Sequence, residues 1–177
     1  MKKIIFICLF FIQLSLNAQV LRTDSIRYRL LESINNQLDV RETKPNRGPM
    51  VDKYLEEVHA NLGDPWCGAF IGYNLTLQGV INPNSAWSPD YAKPKDVILT
   101  PKKPTIKPLG GDVVTYFYPD LNRVGHTGFF EKFDLDGYMI NIEGNTGSGI
   151  GVNREGDGVY KKKRNPAKVN AVTRYIK

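Results

Sequence analysis

At Gly111 the spacing of apolar residues in this chain changes from a helical to a strand period, and that change restricts the fold more than any other feature. Before it, DSIRYRLLESINNQL (residues 24–38) puts Ile26, Leu30, Leu31, Ile34 and Leu38 on one helical face. VDKYLEEVHANL does the same with Val51, Tyr54, Leu55 and Val58. After it come DVVTYFY, VGHTGFFEKF, YMINIE, GVYKKKR and VNAVTRYI, all rich in the β-branched and aromatic residues that strands favour. DLDG (134–137) is a hairpin signal between the second and third of these, with Phe133 and Tyr138 as the closing pair. Helices first and strands second predict an α+β fold, N-terminal helices packed on a C-terminal antiparallel sheet.

Between the helices, Asn46-Arg47-Gly48-Pro49 reads as a turn, and Gly63 closes the segment after Pro49. Asp64 then serves as N-cap and Pro65 as first helical residue of a buried helix running from Trp66 to Leu77. Residues 82–111 have no period and many Pro, Asn, Ser and Lys residues, which reads as a long surface connection. No internal repeat is present.

The N-terminus has a different character. Lys2 and Lys3 precede the apolar run IIFICLFFIQLSL, and Leu16-Asn17-Ala18 ends in a small residue, the layout of a secretory signal peptide. A retained anchor is the alternative, but the run is short of the roughly 20 residues a membrane span needs. The expected division is therefore a signal peptide at 1–18, a helical segment at 19–39 and a catalytic domain at 40–177, exported to the periplasm or beyond. Loss of the leader's two lysines takes the net charge from +6 to +4, and no run of Lys or Arg alternates with aromatics as a nucleic-acid site would require.

Cys8 leaves with that leader, so Cys67 is the one cysteine of the mature chain and can form no internal disulfide. In GDPWCGAF (63–70) it falls in the first turn of the predicted helix. Free backbone N–H groups and the positive helix end stabilise a thiolate there and can hold an oxyanion. A base must accompany it, and there are two histidines. His59 lies at the end of a polar helix and reads as a surface residue. His126 lies in a strand between Gly125 and Gly128, which leave room beside it.

The hairpin supplies the third member. With Phe133 opposite Tyr138, paired numbers sum to 271, which sets His126 opposite Asn145 and diagonal to Glu143. Either can accept the second imidazole N–H and fix the tautomer. A slip of one residue would turn both away. Taken singly, a lone cysteine on an apolar helix and a histidine in a strand are ordinary core residues; their conjunction is what marks a site.

In order along the chain, NRGPMVDKYLEEV, GDPWCGAFIGYNL, GGDVVTYF, GHTGFFEKFD and INIEGNTG resemble the CHAP domain, the cysteine- and histidine-dependent amidohydrolases and peptidases with a papain-like fold. The resemblance covers roughly residues 40 to 175. It implies Cys67 as nucleophile, His126 as base and then acid, Glu143 as the residue orienting His126, and Asn145 as a further polar member. The implied substrate and partner is peptidoglycan, cleaved at the N-acetylmuramoyl-L-alanine amide or within the stem or cross-bridge peptides. Asn46 and Arg47 resemble a recurrent stretch of the family and are candidate substrate contacts, as are Trp66 beside the cysteine and Trp87 and Tyr91 in the long connection. Some CHAP domains carry a calcium loop of clustered acids ahead of the cysteine; residues 51–66 have no Asp-x-Asp cluster, so no metal or other cofactor is expected. The competing expectations are a binding module without activity, a secreted papain-like protease and a wall-targeting toxin. Tyr160-Lys161-Lys162-Lys163-Arg164 reads as the solvated face of an edge strand, with attraction to anionic envelope polymers as a subsidiary role.

Overall fold

The computed structural model describes the backbone of residues 2–100, 103–104, 106–149 and 156–177, and the side chains of 17–100, 106–149 and 156–177. The signal-peptide reading therefore falls almost wholly outside the described side chains. Among the described residues no helix is long and apolar enough to cross a membrane.

The fold is α+β. Three α-helices, α1 (Lys2–Asn35), α2 (Pro49–Glu57) and α3 (Cys67–Leu77), precede the main sheet strands. The strands are β1 (Val97–Thr100), β2 (Lys103–Pro104), β3 (Val113–Tyr118), β4 (Arg123–Phe133), β5 (Met139–Thr146), β6 (Gly158–Arg164) and β7 (Ala171–Thr173). They form one antiparallel sheet in the order β2-β1-β7-β3-β4-β5-β6. Strand alternation divides the core. Val113, Phe129 and Ile142 meet Leu30, Ile34, Tyr54, Phe70 and Leu75 of the helices, while Val114, Tyr116, Phe130, Met139 and Val172 form a second cluster.

The stretch 82–111 is not wholly irregular. It carries two short 3-10 turns, Ser88–Ala92 and Pro94–Asp96, and the strands β1 and β2. β1 has only four residues, all half-buried, and pairs with β7 more than seventy positions later (Val97 with Thr173, Leu99 with Val172). A strand that short and that distant from its partner leaves little local period to read. α1 is fastened to the sheet rather than merely lying on it. Arg27 donates to Gly110 O (2.7 Å), Ile176 O (2.8 Å) and Asp112 Oδ1 (3.1 Å) from a buried position.

The hairpin closes differently from the expected pattern. Phe133 pairs with Met139, not Tyr138, because Asp134 Oδ1 accepts the N–H groups of both Asp136 and Tyr138 (each 2.9 Å) and widens the loop. A bulge at Glu131 then absorbs one residue, and at Phe130–Asn141 and Phe129–Ile142 the sum is again 271. Two departures of one residue cancel before His126 is reached.

The basic strand also needs correction. β6 is an edge, but it is not solvated along its length: Lys162 and Arg164 are buried, and Lys162 Nζ donates to the carbonyls of Gly147 (2.6 Å) and Gly149. Lys161 pairs with Glu131, and Lys163 with Asp134 and Asp136, so little uncommitted charge remains to attract a polymer.

Candidate active site

Cys67 is the first residue of α3 rather than the third, with Trp66 as its N-cap. Asp64 does not cap, because its Oδ2 is spent on the turn before the helix, accepting from Asn61 N (3.1 Å) and Asn61 Nδ2 (3.3 Å). The Trp66 N–H is taken instead by Asn145. With its amide turned so that both ends find partners, the Asn145 oxygen accepts from Trp66 N (2.9 Å) and its nitrogen donates to Gly156 O (3.0 Å). Asn145 thus fixes the start of the nucleophile helix and makes no hydrogen bond to His126. It makes this contact from a left-handed backbone (φ 53°), which asparagine tolerates better than most residues.

Cys67, His126 and Glu143 do come together. Cys67, 6 % exposed, lies close enough to His126 for each to shift the other's pKa, and His126 Nε2 lies 2.8 Å from Glu143 Oε2. With Nε2 engaged, Nδ1 is the ring atom available to the sulfur. The two glycines beside His126 do not leave empty room; each accommodates a neighbour. A Cβ at Gly128 would lie 2.4 Å from Glu143 Cγ, so only glycine lets the Glu143 side chain cross β4 to reach the ring. A Cβ at Gly125 would lie 2.5 Å from the Tyr118 ring, which stacks on His126 (centroids 6.5 Å apart) as Tyr116 does (6.1 Å).

Two residues that the sequence reading missed complete the arrangement. Arg164 of β6 grips Glu143 with both arms, Nε donating to Oε1 (2.8 Å) and Nη2 to Oε2. Ser88 Oγ lies 3.2 Å from Cys67 Sγ. It is brought there by a close backbone approach, since a Cβ at Gly68 would sit 2.4 Å from Ala86 O. Register alone would not have found Arg164: in β6 it faces Met139 while Tyr160 faces Glu143, so its long side chain reaches the carboxylate from four residues along the edge strand. For Ser88 no local signal exists; it meets Cys67 through tertiary packing alone.

The charges alternate along the line. Burial pushes Glu143 up, but Arg164 and then His126 outweigh it and hold the carboxyl at about 2. Burial pushes His126 down, while contact with Cys67 and then with Glu143 lifts it to about 9. Burial likewise pushes the Cys67 thiol up. His126, by contact and charge, then Ser88 and the Gly68 N–H, more than reverse this and leave it below its ordinary 9.0. The shifts favour a thiolate beside an imidazolium over the neutral pair, backed by a carboxylate and a guanidinium. In that form four buried charges of alternating sign sum to zero, and such an arrangement can be held in a low-dielectric site.

The remaining candidates lie elsewhere or act structurally. Trp66 is fully buried, stacked on Tyr54 (5.6 Å) with Nε1 donating to Glu42 Oε1 (2.7 Å), and so has no surface to offer a substrate. Asn46 donates its backbone N–H to the other oxygen of Glu42 (2.7 Å) from a left-handed turn, and Arg47 pairs with Asp52 through two bonds (2.8 and 3.0 Å). Tyr91 is buried and hydrogen-bonded to Ser85, an anchor of the loop rather than a groove wall. His59 is an exposed helix-end residue, with positive φ. Trp87 alone of the aromatic candidates stays half exposed, beneath the guanidinium of Arg123 (4.1 Å).

A cavity of about 850 Å³ lies between α1 and the C-terminus, bordered by Arg22, Lys95, Asp96 and Lys177 and apart from Cys67. Among the described residues no three His, Cys, Asp or Glu side chains are grouped to hold a metal ion. No family model, curated protein or solved structure matches the chain.

Proposed function

We propose that the protein is an exported cysteine hydrolase that cleaves an amide bond of peptidoglycan by acyl transfer. The observation that carries the reading is the buried line from the Cys67 thiol through His126 to Glu143, with His126 Nε2 2.8 Å from the carboxylate. The choice of peptidoglycan rests on the resemblance of the PWCGAF, GDVV, GHTG and IEGNTG stretches to the CHAP pattern, as does the papain-like character of the fold.

In this reading the Cys67 thiolate attacks the amide carbonyl, and backbone N–H groups at the start of α3 stabilise the oxyanion. The imidazolium of His126 gives its proton to the nitrogen of the breaking C–N bond, the amine leaves, and a thioester remains. Neutral His126 then takes a proton from water as its oxygen adds to the thioester. Collapse expels the thiolate and releases a carboxylic acid. Glu143, held by Arg164, keeps the ring in one tautomer and stabilises its charged form.

Purified sacculi test the reading. Wild-type protein should release soluble muropeptides, and Cys67→Ser and His126→Ala should reduce release to background. Wild-type-like release from Cys67→Ser would end the cysteine mechanism. Mass spectrometry of the products separates amidase from endopeptidase, and comparison with casein separates a wall enzyme from a general protease. The reading of a binding module without turnover draws on the low exposure of Cys67. Rapid iodoacetamide labelling at pH 6 would count against it, because an ordinary thiol with pKa about 8.5 reacts slowly there.

A further inference from the structure

We infer that Arg123 and Trp87 form a subsite for a carboxylate of the substrate, at the approach to Cys67. The inference depends on the hydrolase reading only for the kind of molecule that carries the carboxylate. Trp87 is 51 % exposed, and the Arg123 guanidinium carbon lies 4.1 Å from the centre of its ring.

Two independent tethers bring this stack to the site. Trp87 directly precedes Ser88, whose hydroxyl is 3.2 Å from Cys67 Sγ, and its backbone N–H is fixed by Ser85 Oγ (3.0 Å). From the other side, Arg123 is the cross-strand partner of Tyr118, whose ring stacks on His126. The guanidinium is therefore set off from the sulfur by the Ser88 and Tyr118 tethers, a separation that a few residues of extended peptide can span.

Arg123 is not among the arginines committed to an acidic partner; Arg41, stacked over Tyr160 and bonded to backbone carbonyls, resembles it but lies away from Cys67. Arg27, Arg47, Arg164 and Arg174 each hold an Asp or Glu. Among the described residues no carboxylate pairs with Arg123, whose hydrogen bond is from Nη1 to the adjacent Val124 O (2.8 Å). A planar guanidinium held over an indole, with most of its donors uncommitted, is preorganised for bidentate binding of a carboxylate. The substrate class is thus a peptide with a free carboxylate a few residues from the scissile amide, and amidation of that group would remove the pair. If the stack only staples the 85–92 loop to β4, amidation would make no difference.

Soluble muropeptides in which each stem carboxylate is amidated in turn provide the test. Binding is followed by tryptophan fluorescence, which reports on Trp87 because the other tryptophan, Trp66, is fully buried. Cleavage is followed in parallel. One amidation should weaken binding about 10- to 100-fold. Arg123→Gln should erase that preference by weakening the free form alone, and Arg123→Lys should recover part of it. Equal wild-type affinity for every member of the set, or an undiminished preference in Arg123→Gln, overturns the subsite. Selective binding without cleavage would retire hydrolysis and leave the subsite standing; cleavage indifferent to amidation would do the reverse.

Discussion

Replacing Glu143 by Gln tests the buried charge line at its most committed point. The substitution keeps the shape but leaves Arg164 and His126 facing a neutral amide. Glu143 titrates at about 2 in the fold against an ordinary 4.5. At about 1.4 kcal/mol per pH unit, that depression corresponds to roughly 3 kcal/mol of stability at pH 7. It agrees with the ~3–5 kcal/mol expected when one partner of a buried ion pair is removed. The sign follows from the direction of the shift. A depressed carboxyl contributes fully above its unfolded pKa, and the contribution is lost as pH falls from 4.5 toward 2. Urea unfolding of wild type and Glu143→Gln should therefore differ by about 3 kcal/mol at pH 7, and by about half that at pH 3. Asn145 cannot compensate, since both ends of its amide are already engaged with Trp66 and Gly156. A variant as stable as wild type at pH 7, or a gap that does not narrow in acid, would refute the argument that Glu143 is a buried, paired carboxylate.

Three further outcomes follow from the same geometry. Because His126 is lifted to about 9, its charged form persists through neutrality and is lost as pH climbs toward that value; kcat/KM should fall above about pH 9, and at lower pH in Glu143→Gln, as a pH–rate profile would reveal. Ser88→Ala removes a hydrogen bond to the sulfur worth ~1.5 kcal/mol, so iodoacetamide labelling at pH 6 should slow by about tenfold while thermal stability changes little. Gly128→Ala puts a methyl group 2.4 Å from Glu143 Cγ; the variant should lose about 1–3 kcal/mol on denaturant unfolding and its alkaline activity limb should move down, whereas an unshifted limb would mean that Glu143 reaches His126 by another route.

What the sequence alone determined here is whatever depends on short-range period. The change of spacing at Gly111 gave the α+β order, and the five alternating segments after it correspond to β3 through β7. Hairpin arithmetic brought Glu143 within reach of His126, although it did so through an expected closing pair that the Asp134 turn and the Glu131 bulge both altered. Local pattern failed where a side chain had a nearby competitor. Asp64 was a good cap by type, yet Asn61 claimed it, and the helix began at Cys67 with its entering N–H bound by a residue nearly eighty positions away.

Only the tertiary structure decided which polar groups face one another across elements far apart in the chain. It brought Arg164 to Glu143, Ser88 to Cys67 and Arg123 to Trp87, and it sent Trp66 and Tyr91 into the core. The physical reason is that the energies of these contacts depend on burial and on partners supplied by other segments. A guanidinium written in a basic run reads as solvated until a sheet encloses it with a carboxylate.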